Sequence, residues 1–367
     1  GTSAVTAQNA GIYAFVGGPG ALSVTANNVT ATNGQGIRAY SLGSGDITVT
    51  ADGQVQSTNG DGIYLGHFGT GNSTIDVTNA AGDALVSGSR GVYVYAGLAT
   101  GTTSLTFNNV TGTGNDAINV RSSGNGGVTV TSGNVAGTAQ VTGDASGITA
   151  RNYDGDLAIS ANNVTGTNSY GIYAYSDGVD IDVTTTGTIY GNTSGIYARN
   201  SGTGDTTITT TNAAGGATVT GGNNGIRVYQ NFGSDAVTIT ANNVNGYAGY
   251  GIYVRSFGDG DTNVTATHAT GTATVFGADF GIYVYNAYGD VNITADDVTG
   301  SNDDGIAVYN GPFSDAVSVT AYGTVLGDDE GIYVRNQGTG GVTVSASNAS
   351  GTGQVTSLND NGVEIDN

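Results

Sequence analysis

The chain has 367 residues, of which 65 are Gly and two are Pro, with no Cys, Met or Trp, 37% hydrophobic residues and a net charge of −21. Glycine this abundant without a three-residue period excludes collagen, and the apolar share is too high for simple disorder. The 29 acidic residues against eight Arg and no Lys exclude nucleic acid as a partner, because a phosphate backbone needs clustered cations.

The apolar residues are mainly Val, Ile, Ala and Tyr, which favour strands over helices. A motif, Gly-Ile-Tyr-Val/Ala-Tyr/Arg-Asn/Ser, recurs along the chain. Its Ile or Val falls at Ile12, Ile37, Ile63, Val92, Ile118, Ile148, Ile172, Ile196, Ile226, Ile252, Ile282, Ile306, Ile332 and Val363, at intervals of 24 to 31 residues. Two more strands lie in each interval. One alternates cleanly, as in Ile47-Thr48-Val49-Thr50, Ile181-Asp182-Val183-Thr184 and Val237-Thr238-Ile239-Thr240, and the other is short, as in Asn163-Val164-Thr165.

Three strands per interval make one coil of an all-β, right-handed parallel β-helix. The expectation is about fourteen coils in a single solenoid domain over residues 1–367. Leucine-rich and helical arrays are disfavoured by the scarcity of Leu and the lack of any amphipathic helical pattern. One coil cannot bury its inward residues alone, so neighbours must stack to close a core. The longer intervals share a corner, at Thr78–Gly82, Thr211–Gly215 and His268–Gly271, where a lengthened turn is expected.

In the motif strand Ile and the following Val or Ala point inward, so the second and fourth residues after the Gly point outward. These two outward columns hold 14 of the 21 Tyr and seven of the eight Arg; the eighth, Arg90, precedes Gly91. An acidic chain thus gathers its cations on one aromatic face. Stacked Tyr and Arg stabilise adjacent coils by roughly 0.5 to 1 kcal/mol per pair at exposed sites. The same side chains dominate binding hot spots and stack on sugar rings. The candidate partner-binding residues are Tyr93, Tyr95, Tyr173, Tyr175, Tyr197, Arg199, Tyr253, Arg255, Tyr283, Tyr285, Tyr309, Tyr333 and Arg335.

An Asn or Ser follows the strand, as at Asn152, Asn200, Asn286, Asn310, Asn336 and Asn367, and an Asn ladder along a turn column is expected. Asp46, Asp156, Asp180, Asp235, Asp261, Asp290 and Asp315 sit near the start of the alternating strand, where carboxylates in register would repel unless turns spread them or a hard cation screens them. No cofactor is required. Calcium is the candidate ion, at Asp259, Asp261, Asp303, Asp304, Asp328 and Asp329, the last two clustered with Glu330, although the Gly-Gly-x-Gly-x-Asp nonapeptide of calcium β-rolls is absent.

The run Tyr170-Gly171-Ile172-Tyr173-Ala174-Tyr175-Ser176, after Ser160-Ala161-Asn162-Asn163-Val164-Thr165-Gly166-Thr167-Asn168, resembles the passenger repeats of bacterial autotransporters and related large surface adhesins, and the likeness of repeat style covers the whole chain. The resemblance implies export to the bacterial cell surface by a C-terminal β-barrel that these residues do not include. The absence of Cys suits a chain that crosses membranes unfolded. No apolar run reaches the roughly 20 residues that span a bilayer, and the start at Gly1 reads as a processed or excised piece. The expected function is structural or adhesive, with surface glycans, surface proteins or further copies of the chain as partners. The alternative is a polysaccharide-acting β-helix enzyme. Enzymes of that kind use carboxylate pairs or calcium with basic residues in a groove, whereas here Lys is absent and His67 and His268 lie in widely separated coils. Catalysis is therefore not expected.

Overall fold

Val, Ile and Thr are stiff at χ1 and pack well on a pleated surface, so runs of them with period two need a sheet neighbour. In a computed structural model, which describes residues 4–97, 101–133, 139–212, 216–268, 273–346 and 354–367, each such run pairs with its own copy one coil on. The fold is an all-β, right-handed parallel β-helix of about thirteen turns, with no helix among the described residues. The expected count of about fourteen was the number of motif strands, and 14 strands bound thirteen intervals.

The chain divides into two compact units, Gly1–Val179 and Asp180–Asn367. In the first, motif strands run from Ile12–Val16 to Ile172–Ser176, alternating strands from Leu22–Ala26 to Leu157–Ala161, and short strands from Ala4–Ala7 to Asn163–Gly166. All pair in parallel, and the motif pairs like with like: Ile12 with Ile37, Ile63 with Val92, Ile118 with Ile148. In the second, the same register joins Ile196 to Ile226, Ile252 to Ile282, and Ile306 to Ile332. Two of its motif strands run on unbroken into alternating strands, as Ile282–Ala295 and Ile306–Ala321.

The inward positions form the core of each unit. Ile37, Ala39, Ile47, Val49 and Val55 in the first, and Ile226, Val228, Val237, Ile239 and Val244 in the second, have no exposed surface. Burying each Val or Ile contributes roughly 1.5 to 3 kcal/mol, which only a stacked neighbour makes available. The motif glycine is fixed by close approach. A Cβ on Gly225 would lie 2.3 Å from Val244 Cγ1 and 2.7 Å from the Gly251 carbonyl oxygen.

The polar residue after the outward pair turns inward, because it closes the strand in the same alternation. Ser41, His67, Ser122, Asn152 and Ser176 in the first unit, and Asn200, Gln230, Ser256, Asn286, Asn310 and Asn336 in the second, are all buried. The expected Asn ladder thus lies one step inside the turn. Asn286 Nδ2 donates to Asn310 Oδ1 (3.2 Å), Asn310 Nδ2 to Asn336 Oδ1 (3.0 Å), and Asn336 Nδ2 to Asn367 Oδ1 (3.0 Å). His67 takes this place in its coil, 3.0 Å from Ser73 Oγ, and burial pushes its pKa below the ordinary value, against the raising influence of the Gly43 carbonyl.

At the longer corner Gly82 takes a left-handed conformation (φ 73) and donates its N–H to the Asn79 carbonyl. Asn79 Nδ2 in turn reaches the Asp52 carbonyl and Asp83 Oδ1, each at 2.7 Å. In the two matching corners, residues 213–215 and 269–271 lie outside the described residues.

Candidate binding face

Because the motif strands stack in register, side chains that point outward from one coil lie about 4.8 Å from those of the next. In the first unit Arg38 sits between Tyr13 and Tyr64, its guanidinium carbon 5.6 and 5.5 Å from the two ring centroids. Tyr64 meets Tyr93 edge-on at 5.5 Å, and Arg90 covers Tyr93 at 3.7 Å. Arg90 is locked there by two parallel hydrogen bonds to Asp61, Nε to Oδ1 (2.8 Å) and an outer nitrogen to Oδ2 (3.0 Å). Burial is the largest influence and opposes its charge, but Asp61 and Tyr93 together outweigh it and hold the guanidinium pKa above the ordinary value.

In the second outward column Gly66 leaves a gap, and Phe68 fills it, touching Tyr40 at 5.1 Å and Tyr95 at 5.2 Å. Arg121 and Arg151 face each other in register, a like-charge pair that should repel. They diverge: Arg121 Nε donates to Asn119 Oδ1 (3.2 Å), while Arg151 crosses small Thr149 to cover Tyr173 at 5.2 Å. Tyr173 and Tyr175 are themselves 6.5 Å apart, and Tyr170 stacks on Tyr173 at 5.3 Å.

The second unit carries the larger aromatic cluster. Arg227 lies between Tyr197 (4.9 Å) and Tyr253 (5.7 Å). Tyr253 stacks on Tyr283 at 5.4 Å with 9° between the planes, and Tyr250 on Phe280 at 5.4 Å with 12°. Arg199 covers Tyr229, and Arg255 sits among Tyr229, Phe257 and Tyr285. Ala307 offers no ring to the first column, so Tyr309 leans across from the second and touches both Tyr283 (5.3 Å) and Tyr333 (5.4 Å). Burial in this cluster, reinforced by neighbouring Tyr and acidic groups, pushes the phenols of Tyr283 and Tyr309 up to about 12.

Of the expected partner-binding residues, Tyr253, Tyr283, Tyr309 and Tyr333 thus join in one continuous run. Tyr285 contacts Arg255 and Phe257 instead, and Arg335 lies 3.6 Å from Asp366 and lines a cleft with Tyr285. In the first unit Tyr93 and Tyr95 form one group and Tyr173 and Tyr175 another, with Asn119 and Thr149 in the first column between them.

The acidic corner has a structural explanation. Asp46 Oδ1 accepts the Asn72 amide (2.8 Å), Asp180 that of Asp205 (2.9 Å), Asp261 that of Asp290 (2.9 Å) and Asp290 that of Ala316 (2.8 Å). Each of these four carboxylates caps the next coil's backbone. Of the calcium candidates, Asp261 is one of these caps, and Asp259 is the residue whose amide donates to the Ser234 carbonyl (2.8 Å). Asp303 Oδ1 accepts the Asp304 amide, and Asp304 Oδ1 accepts that of Glu330 (3.0 Å). Asp328 donates its amide to the Asp303 carbonyl, and Asp329 acts on Asp303 through its charge. Among the described residues, the carboxylates that converge within 4.8 Å are Glu330, which adjoins the Asp328 and Asp329 candidates, with Asp360 and Glu364.

Clefts interrupt the face of the second unit. Where Tyr309 leaves its column and Gly311 adds no side chain, an opening of ≈ 160 Å³ is lined by Tyr285, Tyr309, Asn310, Gly311, Arg335 and Gln337. Another, of ≈ 200 Å³, is lined by Asn223, Asn224, Arg227, Tyr250 and Tyr253.

Reading only the motif strand misses two flanking columns. The residue before the motif glycine supplies Asp61, Arg90, Tyr170, Tyr250, Phe280, Asp304 and Glu330. Beyond the strand, Phe232, Phe257, Tyr288 and Phe313 form a second ridge, with Tyr288 and Phe313 stacked at 5.8 Å. Aligning the repeats a few residues further in each direction exposes the first column and Phe257; Phe232, Tyr288 and Phe313 stand at varying offsets and are harder to see.

Fold and face together define a β-helix repeat protein with a Tyr/Arg-bearing surface on its motif strands. No protein-family model, curated protein or solved structure matches the chain.

Proposed function

We propose that this chain is an adhesive, non-catalytic protein of the bacterial cell exterior, which presents its motif-strand face to glycans or proteins of another surface. The observation that carries this reading is the placement of the cations. In a chain of net charge −21, seven of eight Arg stand on the outward face of one strand per coil, several of them held against aromatic rings. Guanidinium and phenol groups held rigidly in this way bind at little entropic cost. The Cys-free composition and the resemblance to autotransporter passenger repeats are the reasons for proposing the bacterial surface.

The test is to replace Tyr283, Tyr285 and Tyr309 together with Ser and follow melting and adhesion to cells and immobilised glycans. The expected result is loss of adhesion by purified protein that is still folded at the assay temperature. Lower stability with undiminished adhesion would leave the ladder a purely structural device. Filaments in electron micrographs that the substitution abolishes would reassign the face to self-association.

A further inference from the structure

Tyr197, Arg227 and Tyr253 occupy the same outward position on three successive coils. Among the described residues no carboxylate pairs with the Arg227 guanidinium, and its Nε is buried without a hydrogen-bond partner. One coil on, Gly249 contributes no side chain, and the cleft of ≈ 200 Å³ opens beside Arg227, Asn223, Asn224, Tyr250 and Tyr253.

The groups lining this opening are two carboxamides, two phenols and a guanidinium, and the Asp279 and Asp303 charges act on Tyr250 from the following coils. Asn224 is 4% exposed, and its Oδ1 already accepts the Tyr250 amide (3.2 Å), so its remaining group is the Nδ2 donor. Asn223 Oδ1 faces Gly249, where an added Cβ would lie 2.4 Å from it. Arg227 adds its N–H groups, and the two tyrosines add hydroxyls. Phe280 stacks on Tyr250 from one side, while the coil on the other side carries Asn224 in that column. A guanidinium with no ion-pair partner, beside carboxamides and a ring, selects a ligand with a carboxylate on a flat apolar body. The net charge of −21 argues against a polyanion and for one acidic unit at a time.

We infer that this cleft binds a carboxylate-bearing pyranose of a surface glycan, with the carboxylate on the Arg227 guanidinium and a C–H face of the sugar against Tyr250. This rests on the adhesive reading and names a ligand class for it. Because protein and ligand carry like net charge, moderate salt should leave affinity unchanged or strengthen it, opposite to a basic protein on a polyanion.

The experiment titrates the full chain with a glucuronate-containing oligosaccharide and its carboxyl-reduced counterpart by calorimetry. The reduced sugar should bind at least about tenfold more weakly, a difference of about 1.4 kcal/mol. Arg227→Gln should lose the discrimination. Gly249→Ala should lower affinity at least about tenfold without touching Arg227, because its Cβ would displace the Asn223 and Asn224 carboxamides, whose Oδ1 atoms would lie 2.4 and 2.8 Å from it. Thr238→Ala, on the alternating strand, should change nothing. Equal binding of the two sugars, or a Gly249→Ala variant that folds and binds as before, would overturn the assignment. So would binding of an acidic peptide, and not the sugar, at this cleft. If neither sugar binds while the Tyr→Ser variant still loses cell adhesion, the ligand class fails and the adhesive reading stands; if adhesion ignores the ladder, that reading falls too.

Discussion

Asp304 stands one residue before a motif glycine, 3% exposed, with Glu330 in the same position one coil on. Burial raises its pKa to about 8, and a hydrogen bond to the Glu330 side chain adds to the rise, partly offset by the Glu330 amide. A folded-state pKa above the unfolded value near 3.8 means that the native protein binds the extra proton. The associated stability is complete below that unfolded value and is lost as pH rises through about 8. Asp304→Asn supplies a permanently neutral donor of the same shape. Melting temperatures measured from pH 4 to 9 should therefore decline with pH in the native protein and stay flatter in the variant, which gains on the order of 1 kcal/mol at the alkaline end. A variant that melts lower at every pH would contradict this. Residue choice also explains what the motif alone could not foretell. Tyr309 belongs to the second column by position, and it crosses to the first because Ala307 leaves room between Tyr283 and Tyr333. Such a crossing depends on neighbouring coils and has no signature within one repeat.

The coil is the element in which sequence and structure correspond most closely. Alternation placed Ile and Val inside and Tyr and Arg outside, and the parallel register brought the copies together. The same alternation, carried one residue further, would have put the Asn and Ser inside as well, where Asn286, Asn310 and Asn336 hydrogen-bond along the stack. Removing Asn310 strands buried partners on both sides, so Asn310→Ala should cost about 1 to 3 kcal/mol in chemical unfolding. A loss below a few tenths would show that the ladder is incidental. Two glycines separate close packing from backbone strain. Gly225→Ala drives a Cβ to 2.7 Å from the Gly251 carbonyl, whereas Gly233 has φ 84 and open space around it. The first substitution should destabilise by about 2 kcal/mol or more and the second by about 1 kcal/mol; equal effects would contradict the packing explanation. The lengthened turn was legible at Thr78–Gly82, and Arg90 as the residue before its motif glycine, but the flanking columns that hold Asp61 and Phe257 lie outside the six-residue motif and were not.

At the scale of the whole molecule, acidity and face act together. Carboxylates at the start of the alternating strands serve as backbone caps, as Asp46, Asp261 and Asp290 illustrate. The cations are concentrated on the motif strands, where rings hold them. Away from the clefts, ring faces there stack on neighbouring rings and guanidinium groups, so phenol hydroxyls, ring edges and guanidinium N–H groups are what that part of the surface can offer a partner. Along the Tyr253–Tyr283–Tyr309 run the structural and binding roles therefore separate chemically: stacking needs the ring, and recognition there needs the hydroxyl. The most direct measurement replaces Tyr253, Tyr283 and Tyr309 together with Phe and determines melting and adhesion on the same preparation. A binding face predicts unchanged melting with adhesion reduced at least about tenfold, and full adhesion by the Phe variant, matched by full adhesion of the Ser variant, would contradict it.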